Sequence, residues 1–182
     1  MRELSLHLLD LARNSIEAGA TLLELTVVED PRTDTLKIVL RDNGAGMDEQ
    51  AVARATDAFY TTRTTRRWGL GLALFKATCE AAQGQLEVAS RPGEGTVVSA
   101  TLRLGHLDRP PLGNMGALLQ ALVCEADRLA LRYRHRVGDR EFYLDTEELR
   151  RELGGICLTE PVVLQWLAGH VNAELRTLGS RA

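Results

Sequence analysis

Lysine is nearly missing from this chain. Of its 22 basic residues only Lys37 and Lys76 are lysine, so the cationic charge is carried by arginine, a bias that genome composition and heat adaptation both produce. Cysteine is scarce as well. Cys79, Cys124 and Cys157 are odd in number and far apart, which fits neither a disulfide framework nor a metal knuckle, and a reducing cytoplasm is the expectation. No apolar run approaches the roughly 20 residues of a membrane span. Glu3 and Asp10 near the start do not suit a secretory signal, so no membrane association is expected. Net charge is −3 and the pI about 5.8, so there is no global excess of positive charge to point to nucleic acid or an anionic membrane. With 45% hydrophobic and 26% charged residues, the 182-residue chain has the composition of one ordinary globular domain, or one plus a small appendage.

The organising stretch is Asp42-Asn43-Gly44-Ala45-Gly46-Met47. Thr35–Arg41 ahead of it alternates as a strand, and Asp48 behind it suits the N-cap of a helix over 49–54. Alternating glycines permit positive φ and close approach of a ligand, and a carboxylate at the strand end is an acceptor for an amino group. Upstream, residues 2–18 read as one amphipathic helix closed by Gly19. Leu4, Leu8, Leu11, Ala12, Ser15 and Ile16 fall on one half of the wheel, and His7, Asp10, Asn14 and Glu17 on the other. Asp10 and Asn14 are four apart and therefore stacked. The amide oxygen suits Mg²⁺, and the carboxylate can orient or deprotonate a water or hydroxyl. His7 is read as structural or as a residue of the pocket rim, and His106, His135 and His170 stand in no motif.

Thr21–Glu29 and Thr35–Arg41 form a predicted hairpin around Asp30-Pro31-Arg32-Thr33-Asp34. Residues 58–68 have no periodicity but carry hydroxyls and Arg63, Arg66 and Arg67, the composition of a loop able to close over phosphate. Gly69-Leu70-Gly71-Leu72 opens a helix ending at Gly84, and amides at such a start form an anion site. Strands over 85–90 and 96–104 flank a turn at Arg91-Pro92-Gly93-Glu94-Gly95. This order predicts helices on one face of a mixed, largely antiparallel sheet.

Four motifs in this order resemble the boxes of the ATPase superfamily that includes gyrase B, Hsp90, histidine kinases and the mismatch repair protein MutL. Asp10-Leu-Ala-Arg-Asn14 resembles the N box and Asp42 to Met47 the G1 box. Phe59-Tyr-Thr-Thr-Arg63 resembles the F box and lid start. Gly69-Leu-Gly-Leu72, with Gly93-Glu-Gly95-Thr96 downstream, resembles the G2 box and the closing turn and strand. The resemblance covers residues 1–104 and implies an α+β fold, the two-layer α/β sandwich of the Bergerat type, with ATP between sheet and lid. It implies that Asp42 binds the adenine amino group, that Gly46 and Thr96 line the base pocket, and that Asn14 holds Mg²⁺. Gly69 and Gly71 would give amides to the phosphates. Gly44, Met47, Leu70 and Leu72 complete the two glycine boxes of the nucleotide-binding set, and Arg63 joins it from the lid. Asp10 stands where MutL-like ATPases and anti-sigma serine kinases carry a glutamate base. Asn14-Ser15-Ile16-Glu17-Ala18-Gly19-Ala20 looks more like MutL or the chemotaxis kinase than like an ordinary histidine kinase. The N box lies so near Met1 that a stand-alone domain, with no phosphoacceptor helix pair in cis, is expected.

Residues 105–113 read as a Pro-rich linker. Residues 114–182 read as a small C-terminal α/β subdomain: a helix to Glu125, a hairpin of 128–136 with 140–145, a helix capped by Asp145, and a helix capped by Thr159 with Pro161 in its first turn. The arginines of that hairpin are read as a solvated face balanced by Glu147, Glu148 and Glu152 rather than as a nucleic-acid surface. The expected function is a Mg·ATP-binding regulatory or signalling ATPase with an unidentified protein partner. The alternatives are a His or Ser protein kinase acting in trans and an anti-sigma-like, nucleotide-gated binding module with little turnover.

Overall fold

A computed structural model describes residues 3–56, 71–126 and 128–180. Helix α1 (Leu4–Glu17) leads into strands β1 (Leu22–Asp30) and β2 (Thr35–Asp42) and helix α2 (Glu49–Thr56). Helix α3 (Gly71–Ala81), strands β3 (Gln85–Arg91) and β4 (Gly95–Arg103) and helix α4 (Met115–Glu125) follow. The chain ends with strands β5 (Ala130–Val137) and β6 (Arg140–Asp145) and helices α5 (Thr146–Glu152) and α6 (Pro161–Leu178). The expected α+β architecture is present: the strands form one mixed sheet in the order β3-β4-β2-β1-β5-β6.

Alternation sets which residues face the core. Leu23, Leu25 and Val27 of β1 are buried, as are Leu36, Ile38 and Leu40 of β2, against Leu4, Leu8 and Leu11 of α1 and Phe75 of α3. The intervening residues of β1 and β2 are half-buried or exposed on the opposite face. Antiparallel pairing of β1 with β2 and of β2 with β4 brings Asp42 opposite Thr96.

After the linker come α4, the β5–β6 hairpin, α5 and α6, and the hairpin is no separate layer. β5 pairs parallel with β1, from Leu22 beside Ala130 to Glu29 beside Val137, and so extends the sheet of the first hundred residues. One hydrophobic cluster joins both parts. The linker turns back onto α1: the amides of Leu4 and Ser5 donate to the carbonyls of Pro111 and Leu112 at 2.9 and 2.8 Å, satisfying two donors that a helix start leaves open. Arg13 of α1 also forks onto the Glu125 carboxylate of α4 with its Nε at 3.1 and 3.0 Å.

Local signals held at several ends and failed at two. Asp48 caps α2 through the Ala51 amide at 2.7 Å, Asp145 caps α5 through the Glu147 amide at 2.8 Å, and Gly19 closes α1 at φ +78°. Thr159 does not cap α6. The N-cap is Glu160, and the Thr159 hydroxyl lies 3.0 Å from Cys157 Sγ instead. After α3 the left-handed residue is Gln83, φ +56°, while Gly84 is needed for close approach, since a Cβ there would sit 1.8 Å from the Thr101 carbonyl oxygen.

Because β5 completes β1 and α4 covers α1, a fragment of residues 1–104 is expected to be less stable than the whole chain by several kcal/mol, more than the roughly 1.5–3 kcal/mol of one buried aliphatic side chain. Denaturant unfolding of the two checks this. Equal midpoints and slopes would mean that the two parts are independent.

Candidate functional site

The Asp42 carboxylate closes β2 at 9% exposure, and burial of a charge requires donors. Three are present. Oδ1 accepts from the Gly44 amide at 2.9 Å and the Thr96 amide at 3.2 Å, and Oδ2 accepts from the Ser15 hydroxyl at 2.6 Å. A carboxylate has about four lone-pair positions. One acceptor position, on Oδ2, therefore remains for a further donor.

Two glycines hold the surrounding turns together. Gly46 has φ +67°, and a Cβ on it would lie 1.9 Å from the Arg91 carbonyl oxygen. Gly95 has φ +85°, and a Cβ on it would lie 2.0 Å from the Asp42 carbonyl oxygen. Any side chain at either position would push the β3–β4 turn away from the turn after β2. Ser90 stitches the same junction: its hydroxyl accepts from the Met47 amide at 2.8 Å and donates to the Gly95 carbonyl at 2.9 Å. With that proton engaged, Thr96 Oγ1, 2.9 Å from Ser90 Oγ, is the donor of the pair and keeps only acceptor capacity. Asn43 serves the fold. Its Oδ1 takes the Thr21 and Leu22 amides, each at 2.9 Å.

Asp42, Gly46, Met47, Leu72, Thr96 and Asn14 line one cavity, with Ser15 and the apolar Leu11, Leu40 and Val98 among the other walls. The cavity is partly open, with about 40 Å³ available to the centres of water molecules. Asn14 is half-buried and its side chain has no hydrogen bond among the described residues. Asp10, one turn earlier, is half-buried and likewise without a hydrogen bond or ion pair among them. A Cβ on Gly71 would lie 3.7 Å from Asp10 Cβ, which brings the start of α3 beside that carboxylate. Gly44 contributes its amide to Asp42 rather than to the cavity wall. Arg63, Gly69 and Leu70, with the whole segment Thr61–Trp68, lie outside the described residues.

Ser15 is the functional residue that sequence reasoning missed. It sits on the apolar stripe of α1, and a hydroxyl on a buried stripe needs a partner; that was the available signal. His7 fixes how α1 meets α3. At 1% exposure it stacks on Phe75, ring centroids 5.0 Å apart and 18° between planes. Its Nε2 lies 3.2 Å from Thr78 Oγ1, whose proton goes to the Leu74 carbonyl at 2.9 Å, so Nε2–H donates and the buried Nδ1 has no partner among the described residues. Burial pushes the His7 pKa below its ordinary 6.5, and the Asp10 carboxylate pulls the other way.

A buried, multiply bonded carboxylate thus lies between two glycine turns and shares a cavity with Asn14 of α1. The chain belongs to the histidine kinase-, DNA gyrase B- and HSP90-like ATPase family, whose profile matches residues 2–106. It is 46% identical over 104 residues to the sensor protein kinase FleS of Pseudomonas aeruginosa, covering 57% of this chain and 25% of that one. It is 38% identical over 111 residues to a non-motile and phage-resistance protein of Caulobacter vibrioides, covering 56% and 13%. The chain thus spans a quarter or less of the length of these relatives. Among solved structures it resembles the N-terminal domain of a DNA repair protein in fold, with a TM-score of 0.55, 16% identity and coverage of 80% of this chain and 53% of that one.

The His7 imidazole gives a stability test with a defined sign. Its folded pKa lies below the unfolded 6.5, so the unfolded state binds the proton first on acidification, and stability falls as pH drops through 6.5 toward the folded value. The slope cannot exceed about 1.4 kcal/mol per pH unit for one proton. His7→Phe keeps a stacking ring and should lose less stability than wild type between about pH 7.5 and 5.5. Denaturant midpoints across that range decide it, and parallel curves would show that His7 carries no such linkage.

Proposed function

We propose that this chain binds Mg·ATP in the cleft between α1, the turn after β2 and the start of α3, and acts as a regulatory or signalling ATPase. The observation that carries this reading is the fourth acceptor position of Asp42: its other three are held by Gly44, Thr96 and Ser15, so what remains is aimed and is acceptor-only. An adenine 6-amino group supplies the matching donor. Gly46, Met47, Thr96 and Leu72, which line the cavity, enclose the base.

Asn14 carries an uncommitted amide oxygen on the cavity wall, the donor type a hard divalent cation takes, so these residues fit Mg²⁺ alongside phosphate and water. When bound, the ion neutralises phosphate charge. Gly71, with Gly69 and Leu70 just ahead of it, offers backbone amides at a helix start to the phosphates, and Arg63 a guanidinium. Asp10, one turn from Asn14, orients or deprotonates an attacking water. The site is expected in the cytoplasm, coupled to a protein partner through nucleotide occupancy.

A second reading is favoured by the sensor kinase among the relatives: phosphoryl transfer in trans to a partner's His or Ser. A nucleotide-gated binding module with little turnover is the third. Incubation with ATP labelled at the γ-phosphate separates them, since label on a partner means kinase, free phosphate means ATPase and neither means switch.

Asp42→Asn presents a donor to a donor and should weaken ATP binding by about one to two decades, the size of a roughly 1–3 kcal/mol mispaired buried contact. Asn14→Ala should weaken Mg·ATP much more than metal-free ATP. Calorimetry with and without Mg²⁺ reads both, and unchanged affinity in Asp42→Asn would remove that residue from base recognition.

A further inference from the structure

Ser90 breaks the pattern of its strand. Leu86 and Val88 of β3 pack against the hydrophobic core, and two positions on, the same face carries a hydroxyl. Strand pairing sets Ser90 opposite Thr96, and Thr96 opposite Asp42. The three polar residues therefore form one row across β3, β4 and β2. Thr96 and Asp42 line the cavity, and Ser90 is not among the described residues that do. A half-buried hydroxyl set back from the cavity has its reason in what it bonds.

Hydrogen-bond capacity fixes the proton positions of this row. A serine hydroxyl has one proton and two acceptor positions. Ser90 Oγ lies 2.8 Å from the Met47 amide, 2.9 Å from the Gly95 carbonyl oxygen and 2.9 Å from Thr96 Oγ1. An amide only donates and a carbonyl only accepts. Ser90 therefore accepts from Met47 and donates to Gly95, and its contact with Thr96 is a hydrogen bond only when Thr96 supplies the proton. All three capacities of Ser90 are then used. Across the row, Ser15 donates to Asp42 Oδ2 at 2.6 Å. Both hydroxyl protons beside the cavity go to protein acceptors, and Asp42 and Thr96 keep only lone pairs for a ligand.

We infer that Ser90 is a positioning residue for base selection: by drawing the Thr96 proton away from the cavity, it makes Thr96 a second acceptor beside Asp42. This rests on Asp42 as the adenine contact and deepens that reading. An exocyclic amine has two hydrogens, and two acceptors take both, the second directly or through one water. A 6-oxo purine has a carbonyl oxygen at the same place, so acceptor meets acceptor. Without Ser90 the Thr96 hydroxyl is free to rotate, and its proton becomes available to that carbonyl. Ser90 thus acts against the wrong base more than for the right one.

Calorimetric titration with Mg·ATP and with Mg·ITP tests this in wild type, Ser90→Ala, Thr96→Val and the double variant. Ser90→Ala should lower the ratio of ATP to ITP affinity by about three- to tenfold, the scale of one hydrogen bond. In the Thr96→Val background there is no hydroxyl to release, so adding Ser90→Ala should leave the ratio where Thr96→Val alone sets it. A merely structural serine would shift both backgrounds alike. Thr96→Val by itself should weaken ATP and leave ITP no weaker. An ATP preference undiminished in Ser90→Ala, an equal shift in the Thr96→Val background, or equal loss of both nucleotides in Thr96→Val would each overturn the inference and leave the Asp42 reading in place. A wild type that binds both nucleotides alike would overturn that reading, and the inference with it.

Discussion

The Asp42 carboxylate is the constraint on which the rest of the site depends. It is a nearly buried charge, and its three donors come from three places: the N-box helix through Ser15, its own turn through Gly44, and β4 through Thr96. A buried charge left with fewer donors is destabilised strongly, so the three segments are held in one relation to each other. The glycines follow from that relation. Gly46 and Gly95 are the points at which the two turns touch backbone to backbone, and the register that places Asp42 opposite Thr96 makes the contact possible.

The helix that carries Asp10 and Asn14 is positioned from outside the family match. Residues 107–182 lie beyond the matched 2–106, yet the linker carbonyls of Pro111 and Leu112 cap the first turn of α1, and Glu125 of α4 holds Arg13. At the far end of β1 a buried polar chain ties the same two parts. Glu29 Oε1 accepts from His135 Nε2 at 2.8 Å and from the Ser180 hydroxyl at 2.5 Å, while Tyr133 OH lies 2.6 Å from His135 Nδ1. Burial holds the Tyr133 hydroxyl in its protonated form, so it can donate to the ring. The C-terminal third is therefore structural support for the ATPase layer as well as the carrier of α6.

Much of this was legible in the residues. Strong alternation gave β1, β2, β4 and the β5–β6 hairpin, because one face of each is buried and the period of two is then explicit. The pairing of β5 with β1 was not legible, since alternation reports which face is buried and not which strand lies alongside. Asp42, Gly46, Met47, Leu72, Thr96 and Asn14 were read from their motifs and meet around one cavity. Ser15 was not, because a small residue on an apolar stripe looks like packing until its partner, 27 residues later, is known. The Thr159 cap failed for a related reason: a hydroxyl before a proline-led helix had a competing neighbour in Cys157.

Under the proposed function, the one acceptor position left on Asp42 selects an exocyclic amino group. Calorimetric titration of the wild-type chain with Mg·ATP and with Mg·ITP, which carries a carbonyl oxygen where adenine carries its amine, tests it most directly. Binding of ATP with ITP weaker by about one to two decades or more is expected from an acceptor facing an acceptor. Equal affinities, or tighter binding of ITP, would contradict it.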